Sequence, residues 1–323
     1  MTQDNVSFNS IIDAIKRIES LEESVRKYIN TSRYQAGLIQ DLDNWNQICS
    51  SLDTIGDTLY AFQDYLETSF PKSIGLSYIY TYGILQALFI QQDAMRNLSE
   101  AFDLKYSPSD KLGSIRAIRN ASIGHPTKNK VKKATYYNYI SRMTMSKEGF
   151  TLMRSFEQGR NEFIDVDLYT ILNDQLHEIE DSYKLLANKL DEADKMHKEK
   201  YKNELIVDVF HSSFSYLFSK VAEGIHSPNS SNTSFGLSML NSIKEAYQKF
   251  EKILDERNDL HEYTKYDLDE YNHAISKLEN YLSGTDTDLT EKDAYIYHFF
   301  IREQHKHFVQ IANEIDAEYN KKL

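Results

Sequence analysis

Residues 78–95 read YIYTYGILQALFIQQDAM. Apolar side chains recur there at helical spacing and spread over most of the circumference, which is the pattern of a helix buried on nearly every side. The element is expected to run Ser77–Phe102 and to form the centre of its domain. Upstream, Ile48, Leu52, Ile55, Leu59, Phe62 and Leu66 mark one face of a helix over Asp43–Glu67. That helix stops before Phe70-Pro71, because proline disfavours helix at the residue before it. Further out, Phe8, Ile11, Ile12, Ile15, Ile18, Leu21, Val25 and Ile29 make the stripe of an opening helix. Downstream, Ser107-Pro108-Ser109-Asp110 reads as a helix start with Ser107 as N-cap and Asp110 as its capping-box partner. Gly124 and Pro126 end that helix.

The period then changes from 3.6 to 2. Tyr137, Tyr139, Ser141, Met143 and Met145 alternate with Asn138, Ile140, Arg142 and Thr144. Lys147-Glu148-Gly149 reads as a hairpin turn, Phe150–Phe156 as the partner strand and Glu162–Leu168 as a third. Helix returns at Tyr169 and continues toward Tyr201, followed by helices over Glu204–Gly224, Ser234–Asn258, Asp267–Ser283 and Thr290–Asn320. Gly224–Ser234 (GIHSPNSSNTS) has the composition of a loop. The expected class is mainly α, a helical bundle with a small three-stranded antiparallel meander and a C-terminal helical region. The expected divisions are an N-terminal helical domain at 1–135, the meander at 136–168, and a helical domain of open role at 169–323. No fixed-period repeat, P-loop or dinucleotide fingerprint occurs.

Composition removes several classes. Four prolines, eleven glycines and one cysteine in 323 residues exclude a disulfide scaffold, a collagen-like chain and a low-complexity chain. Cys49 lies in an amphipathic stretch and reads as a small hydrophobe, which suits a reducing cytoplasm. Apolar runs reach about seven residues against the roughly 18 to 20 that span a bilayer, so no membrane association is expected. The N-terminus lacks the order of an export signal. The net charge of −12 argues against a general nucleic-acid binder. Its distribution reverses that locally: residues 111–160 hold eleven basic and two acidic side chains, net +9, and the rest of the chain is net −21. An anionic ligand is steered to such an island; the bland alternative is that it neutralises an acidic face of this or a partner chain.

Within the island, Ile115-Arg116-Ala117-Ile118-Arg119-Asn120-Ala121-Ser122-Ile123-Gly124-His125-Pro126 places an arginine near a helix end and a histidine just past it, beside Lys128, Lys130, Lys132 and Lys133. Arginine grips phosphate with two donors, and histidine moves protons near neutrality. Together they suit phosphodiester cleavage in RNA, where the neighbouring 2′-hydroxyl is the nucleophile and no metal or other cofactor is required.

This arrangement resembles the HEPN family, all-α domains many of which are metal-independent ribonucleases. Arg119, Asn120 and His125 match its arginine, polar residue and histidine with five positions between the outer two, and the 78–95 helix is similar to the core helix behind that motif. The resemblance covers roughly residues 43–133. It implies an endoribonuclease acting as a homodimer, with two motifs meeting at one site, Arg119 neutralising the phosphate, His125 shuttling protons and Asn120 holding register. It also implies roles in toxin or antiviral defence systems, with a regulatory protein partner a further expectation. Arg116, Lys128, Lys130, Lys132 and Lys133 are the expected RNA contacts. Tyr82, Gln86 and Asp93 share one face of the central helix as supporting polar groups; Asp93 orients Arg119 or His125, or else belongs to a structural network. The runner-up function is a non-catalytic module that binds RNA, a nucleotide or a protein through residues 111–160. In the plainest alternative, Arg119 caps its helix and His125 is a turn residue.

Other candidates are weaker. Arg302 and His307 also fit the spacing but lie inside a continuous helix, where an offset of five points them roughly 140° apart. His298 and His305 lack a carboxylate at metal-ligand spacing. Arg257-Asn258-Asp259-Leu260-His261 has too short a gap and reads as a helix end. Tyr136, Tyr137 and Tyr139, beside the lysine run, are placed to stack on unpaired bases or to pack as core and interface residues.

Overall fold

The computed structural model describes residues 8–131, 134–157, 159–226 and 230–320. Among them the chain is mainly helical, and it divides into two compact units. The first holds residues up to 30 together with Leu38–Asp191; the second holds Thr31–Gly37 and everything from Glu192.

In the first unit the helices are α1 (Phe8–Ile29), α3 (Leu42–Glu67), α4 (Ile74–Ala101) and α5 (Asp110–Arg119), together with most of α6 (Leu168–Tyr201). Asp41 starts α3 by accepting from the Asn44 N–H at 3.1 Å. The N-cap of α5 is Ser109, whose hydroxyl accepts from the Leu112 N–H, so the expected cap at Ser107 lies two residues too early. At its other end α5 passes into one π turn, Asn120–Gly124, closed by the His125 N–H donating to the Asn120 carbonyl at 2.7 Å. Asp167 starts α6 by accepting from the N–H groups of Tyr169 and Thr170.

The three strands of the expected meander are present as β2 (Ala134–Ile140), β3 (Gly149–Phe156) and β4 (Asn161–Asp167), and a short β1 (Asn129–Val131) extends the antiparallel sheet in the order β1-β2-β3-β4. The alternation over residues 141–145 does not continue the strand. Residues 141–148 form a loop with a hydrogen bond of its own, the Thr144 N–H to the Ser141 carbonyl at 3.3 Å, and one to β3, the Thr151 N–H to the Thr144 hydroxyl at 2.9 Å. The sheet is also not a separate body: Phe150, Leu152 and Val166 share one core with Ile48, Leu88, Leu112 and Leu172. The cuts expected at 135 and 168 therefore do not coincide with the division the packing makes, which falls within α6 after Asp191.

α4 is central, but one face of it is open. Ile84, Leu85, Leu88, Met95 and Leu98 are buried, while Ile79 and Tyr82 remain 63% and 42% exposed. Ile79, Tyr82, Gln86 and Ile90 follow one another at offsets of three and four along that open face.

The second unit is built from most of α2 (Ser32–Ile39), the last turns of α6, a 3-10 turn (Ile206–Val209) and the helices α7 (Phe214–His226), α8 (Ser230–Glu256), α9 (Glu262–Ser283) and α10 (Glu291–Asn320). Where loop was expected at residues 224–234, helix reaches His226 and resumes at Ser230; residues 227–229 are outside the described set. The glycines there serve packing. A Cβ on Gly236 would stand 3.2 Å from the Gly224 Cα, so α7 and α8 touch backbone to backbone. The region expected as one helix from Glu204 is the 3-10 turn, a short loop and α7. The 257–261 echo is a helix end as expected: α8 stops at Glu256 and Asn258 is left-handed at φ 58°. Its buried Asp259 accepts from Arg33 Nε at 2.8 Å and from the Tyr319 hydroxyl at 2.8 Å.

Candidate functional site

The π turn gathers the three motif residues. Its hydrogen bond spans five residues instead of four, which widens the helix at Asn120 and delivers His125 at the turn's end; single π turns of this kind recur at functional sites. Arg119 is half-buried. Its Nη1 donates to Asn120 Oδ1 at 2.9 Å, and Nε and Nη2 donate to Gln86 Oε1 at 3.2 and 2.7 Å. Its guanidinium carbon lies 4.3 Å from the Phe89 ring centroid. All of these partners are neutral, and among the described residues no carboxylate pairs with Arg119. The full positive charge is thus held in place by groups that do not cancel it. Gly124 closes the other side: a Cβ there would meet Arg119 Nη1 at 2.9 Å and Asn120 Oδ1 at 3.1 Å. His125 is exposed.

The supporting residues divide. Gln86 is the acceptor for Arg119. Asp93 is not part of the motif: it accepts from Arg116 and lies 3.6 Å from Arg96, which makes it the structural network of the two readings. Tyr82 is exposed, packs its ring 5.5 Å from that of Tyr78, and makes no hydrogen bond to the motif among the described residues. Arg116, an expected RNA contact, is engaged within the protein. It pairs with Asp93, donates through Nε to Gln92 Oε1 at 2.8 Å and lies over Phe89 at 4.4 Å. Lys128 and Lys130 are exposed and carry no ion pair among the described residues; Lys132 and Lys133 lie outside them. Elsewhere in the island, Lys111 pairs with Asp174 and Arg160 with Glu162.

Behind Arg116 runs a polar chain that sequence reasoning passed over. Gln91, Gln92 and Gln175 are 0%, 1% and 0% exposed. Gln92 Nε2 donates to Gln175 Oε1 at 2.7 Å, and Gln175 Nε2 donates to Gln91 Oε1 and the Leu88 carbonyl, each at 2.9 Å. The signal was present in the adjacent glutamines of Gln91-Gln92-Asp93 inside an apolar helix, where such groups need partners. The network anchors α5 to α4 and so fixes the turn that follows α5.

The histidines of α10 each have a neighbour within the second unit. His298 Nε2 meets the Phe218 carbonyl at 2.8 Å. His305 stacks on Phe214 at 4.5 Å and shares a 2.8 Å hydrogen bond with the Tyr247 hydroxyl; burial pushes it down to about 4. His307 faces Asp267 at 3.5 Å. Among the described residues no group of three His, Cys, Asp or Glu is placed to hold a metal ion, and no helix is long and apolar enough to cross a membrane. Comparison of the chain with family models, with curated proteins and with solved structures finds no match.

Proposed function

We propose that the chain is an endoribonuclease of the HEPN kind that cuts RNA through its own 2′-hydroxyl, without a metal. The observation that carries this reading is Arg119: a guanidinium with no ion pair among the described residues, held by Gln86, Asn120 and Phe89, one π turn from an exposed histidine. In the reaction a bond forms from O2′ to phosphorus and the bond from phosphorus to O5′ breaks. The 2′-hydroxyl proton goes to one imidazole, a second, protonated imidazole gives its proton to the departing O5′, and Arg119 stabilises the charge gathering on the non-bridging oxygens. Asn120 and Gln86 keep the guanidinium fork fixed, so little reorganisation is needed as that charge develops. The products end in a 2′,3′-cyclic phosphate and a 5′-hydroxyl.

One histidine cannot be base and acid in the same instant, which favours two protomers sharing one site. The open face of α4 supports this arrangement, because Ile79, Tyr82 and Ile90 flank the same Gln86 that holds Arg119. The test compares an RNA with the DNA of the same sequence, each in excess chelator. Cleavage of RNA alone with cyclic-phosphate ends is expected. Cleavage that disappears with chelator and returns with magnesium overturns the mechanism, and RNA that is bound but never cut makes the chain a binding module.

A further inference from the structure

Arg154 on β3 is a second guanidinium whose charge no carboxylate among the described residues answers. Its Nε donates to Oδ1 of Asn138, its partner in register on β2, at 3.2 Å, and its guanidinium carbon lies 4.7 Å from the Tyr136 ring centroid. Glu162, opposite Arg154 on β4, accepts from Arg160 at 2.8 Å instead. Arg154 therefore resembles Arg119 in being a half-buried, stacked fork held by neutral amide oxygen, with one acceptor where Arg119 has two.

Asn138 ties that fork to the motif. Its backbone N–H donates to the carbonyl of Pro126, the residue after His125, at 2.9 Å. Asn138 is 4% exposed, and its Nδ2 has no hydrogen-bond partner among the described residues. A buried amide donor left without an acceptor is unfavourable unless something beyond the protein meets it. The chain of contacts thus runs from Arg119 through the π turn, His125 and Pro126 to Asn138 and Arg154.

We propose that Arg154, set by Asn138 and Tyr136, is a phosphate-gripping subsite beside His125 that takes the nucleotide next to the scissile bond of single-stranded RNA, an assignment that rests on the ribonuclease reading above. A planar fork stacked on a ring is suited to two-donor contact with a phosphate. Single strands are the fitting substrate because an O2′ lines up with the P–O5′ bond only where the backbone is free to leave the A-form. Lys128 and Lys130, both exposed, continue the positive path on the residues that follow Pro126.

The test uses the full chain in the His125→Ala background, so that a labelled single-stranded RNA is bound and not consumed. Arg154→Gln should weaken binding about tenfold or more and reduce the slope of log affinity against log salt by about 0.7, the value for one phosphate contact on a single strand. Arg160→Gln, which removes an exposed charge already paired with Glu162, should change both far less. In the active chain Arg154→Gln should raise KM and leave kcat within about threefold. Arg154→Lys, which keeps the charge without the fork, should recover part of the affinity and reports on the site if the glutamine variant folds poorly. Unchanged affinity and slope in a folded Arg154→Gln protein, with RNA still cut by the parent, overturns the subsite and leaves the nuclease reading standing. Lost affinity in a chain that binds RNA but never cuts it leaves the subsite standing without the nuclease. A parent chain that binds no RNA overturns both.

Discussion

Gly124→Ala separates the chemistry of the motif from its folding. A methyl group at this position would sit 2.9 Å from Arg119 Nη1, whereas carbon and nitrogen in ordinary contact rest near 3.5 Å, so the guanidinium must retreat by roughly half an ångström. The Asn120 Oδ1 that holds Nη1 is only 3.1 Å from the same methyl and must move with it. Both obstacles are the ends of side chains, and Gly124 does not have a positive φ, so alanine is tolerated by the backbone. Replacing glycine with alanine in such a place commonly adds about 0.4–1 kcal/mol through the unfolded state, which offsets the local crowding. Stability should therefore stay within about 1 kcal/mol of the parent. Catalysis should not: a displacement approaching an ångström at a positioned group costs on the order of 100-fold, and half of that distance about tenfold. The assay is RNA cleavage under single-turnover conditions, with urea denaturation in parallel. Full activity in the variant, or an activity loss matched by a loss of several kcal/mol in stability, would refute the claim that Arg119 acts from the position seen here.

Three further outcomes follow from the packing. Arg116→Ala should lower the stability of the first unit by about 2 kcal/mol, because it leaves the buried Gln92 oxygen and the Asp93 carboxylate without their donor, while RNA affinity at fixed salt stays nearly unchanged; a large affinity loss without destabilisation would return Arg116 to the RNA contacts. In the second unit, burial holds His305 down at about 4 and also lowers His298 and His197, so the unfolded chain binds protons that the folded chain refuses. Stability should be full above about pH 6.5 and decline as the pH falls toward 4, and His305→Phe should flatten that decline; an identical pH profile in the variant contradicts the assignment. Co-refolding the parent with an Arg119→Ala, His125→Ala double variant should give activity that follows the square of the parent fraction, so that an equal mixture retains about one quarter; activity linear in that fraction from a confirmed mixed dimer contradicts the shared site.

The helices were legible wherever burial imposes one period on many residues. α1, α3, α4, α9 and α10 follow their apolar stripes to within a few positions, except that α9 begins at Glu262, five residues ahead of the expected start. What escaped was local or tertiary. Ser107 and Ser109 are equally good caps by type, and only the Leu112 N–H decides between them. The strand alternation over 141–145 was coincidental, since that stretch turns, with the Thr144 N–H donating to the Ser141 carbonyl. The stretch around Gly224 looked like loop because glycine serves turns and close helix contacts alike, and only the approach of Gly236 shows which. α2 carries a single buried side chain, Arg33, and so has no apolar stripe to read. At the site, Gln86 was among the polar groups of α4 expected to support the motif, but the residue expected to reach Arg119 or His125 was Asp93, and it is Gln86 that accepts from Arg119. The capture of Asp93 by Arg116 was not legible, because both arginines of α5 face α4 and spacing alone does not say which of them reaches the carboxylate. Arg154 and Asn138 were beyond reach from spacing, since strand register pairs them with each other and a backbone hydrogen bond joins Asn138 to Pro126.

The most direct test of the central claim is cleavage of a defined RNA in excess chelator by four proteins: the parent, Arg119→Ala, His125→Ala and His307→Ala. The polar, partly exposed motif residues contribute little packing, so all four should unfold at similar temperatures. Cyclic-phosphate products are expected from the parent and from His307→Ala, with a loss of at least about 100-fold in the other two. Undiminished cleavage by folded His125→Ala, or loss in His307→Ala alone, would contradict it.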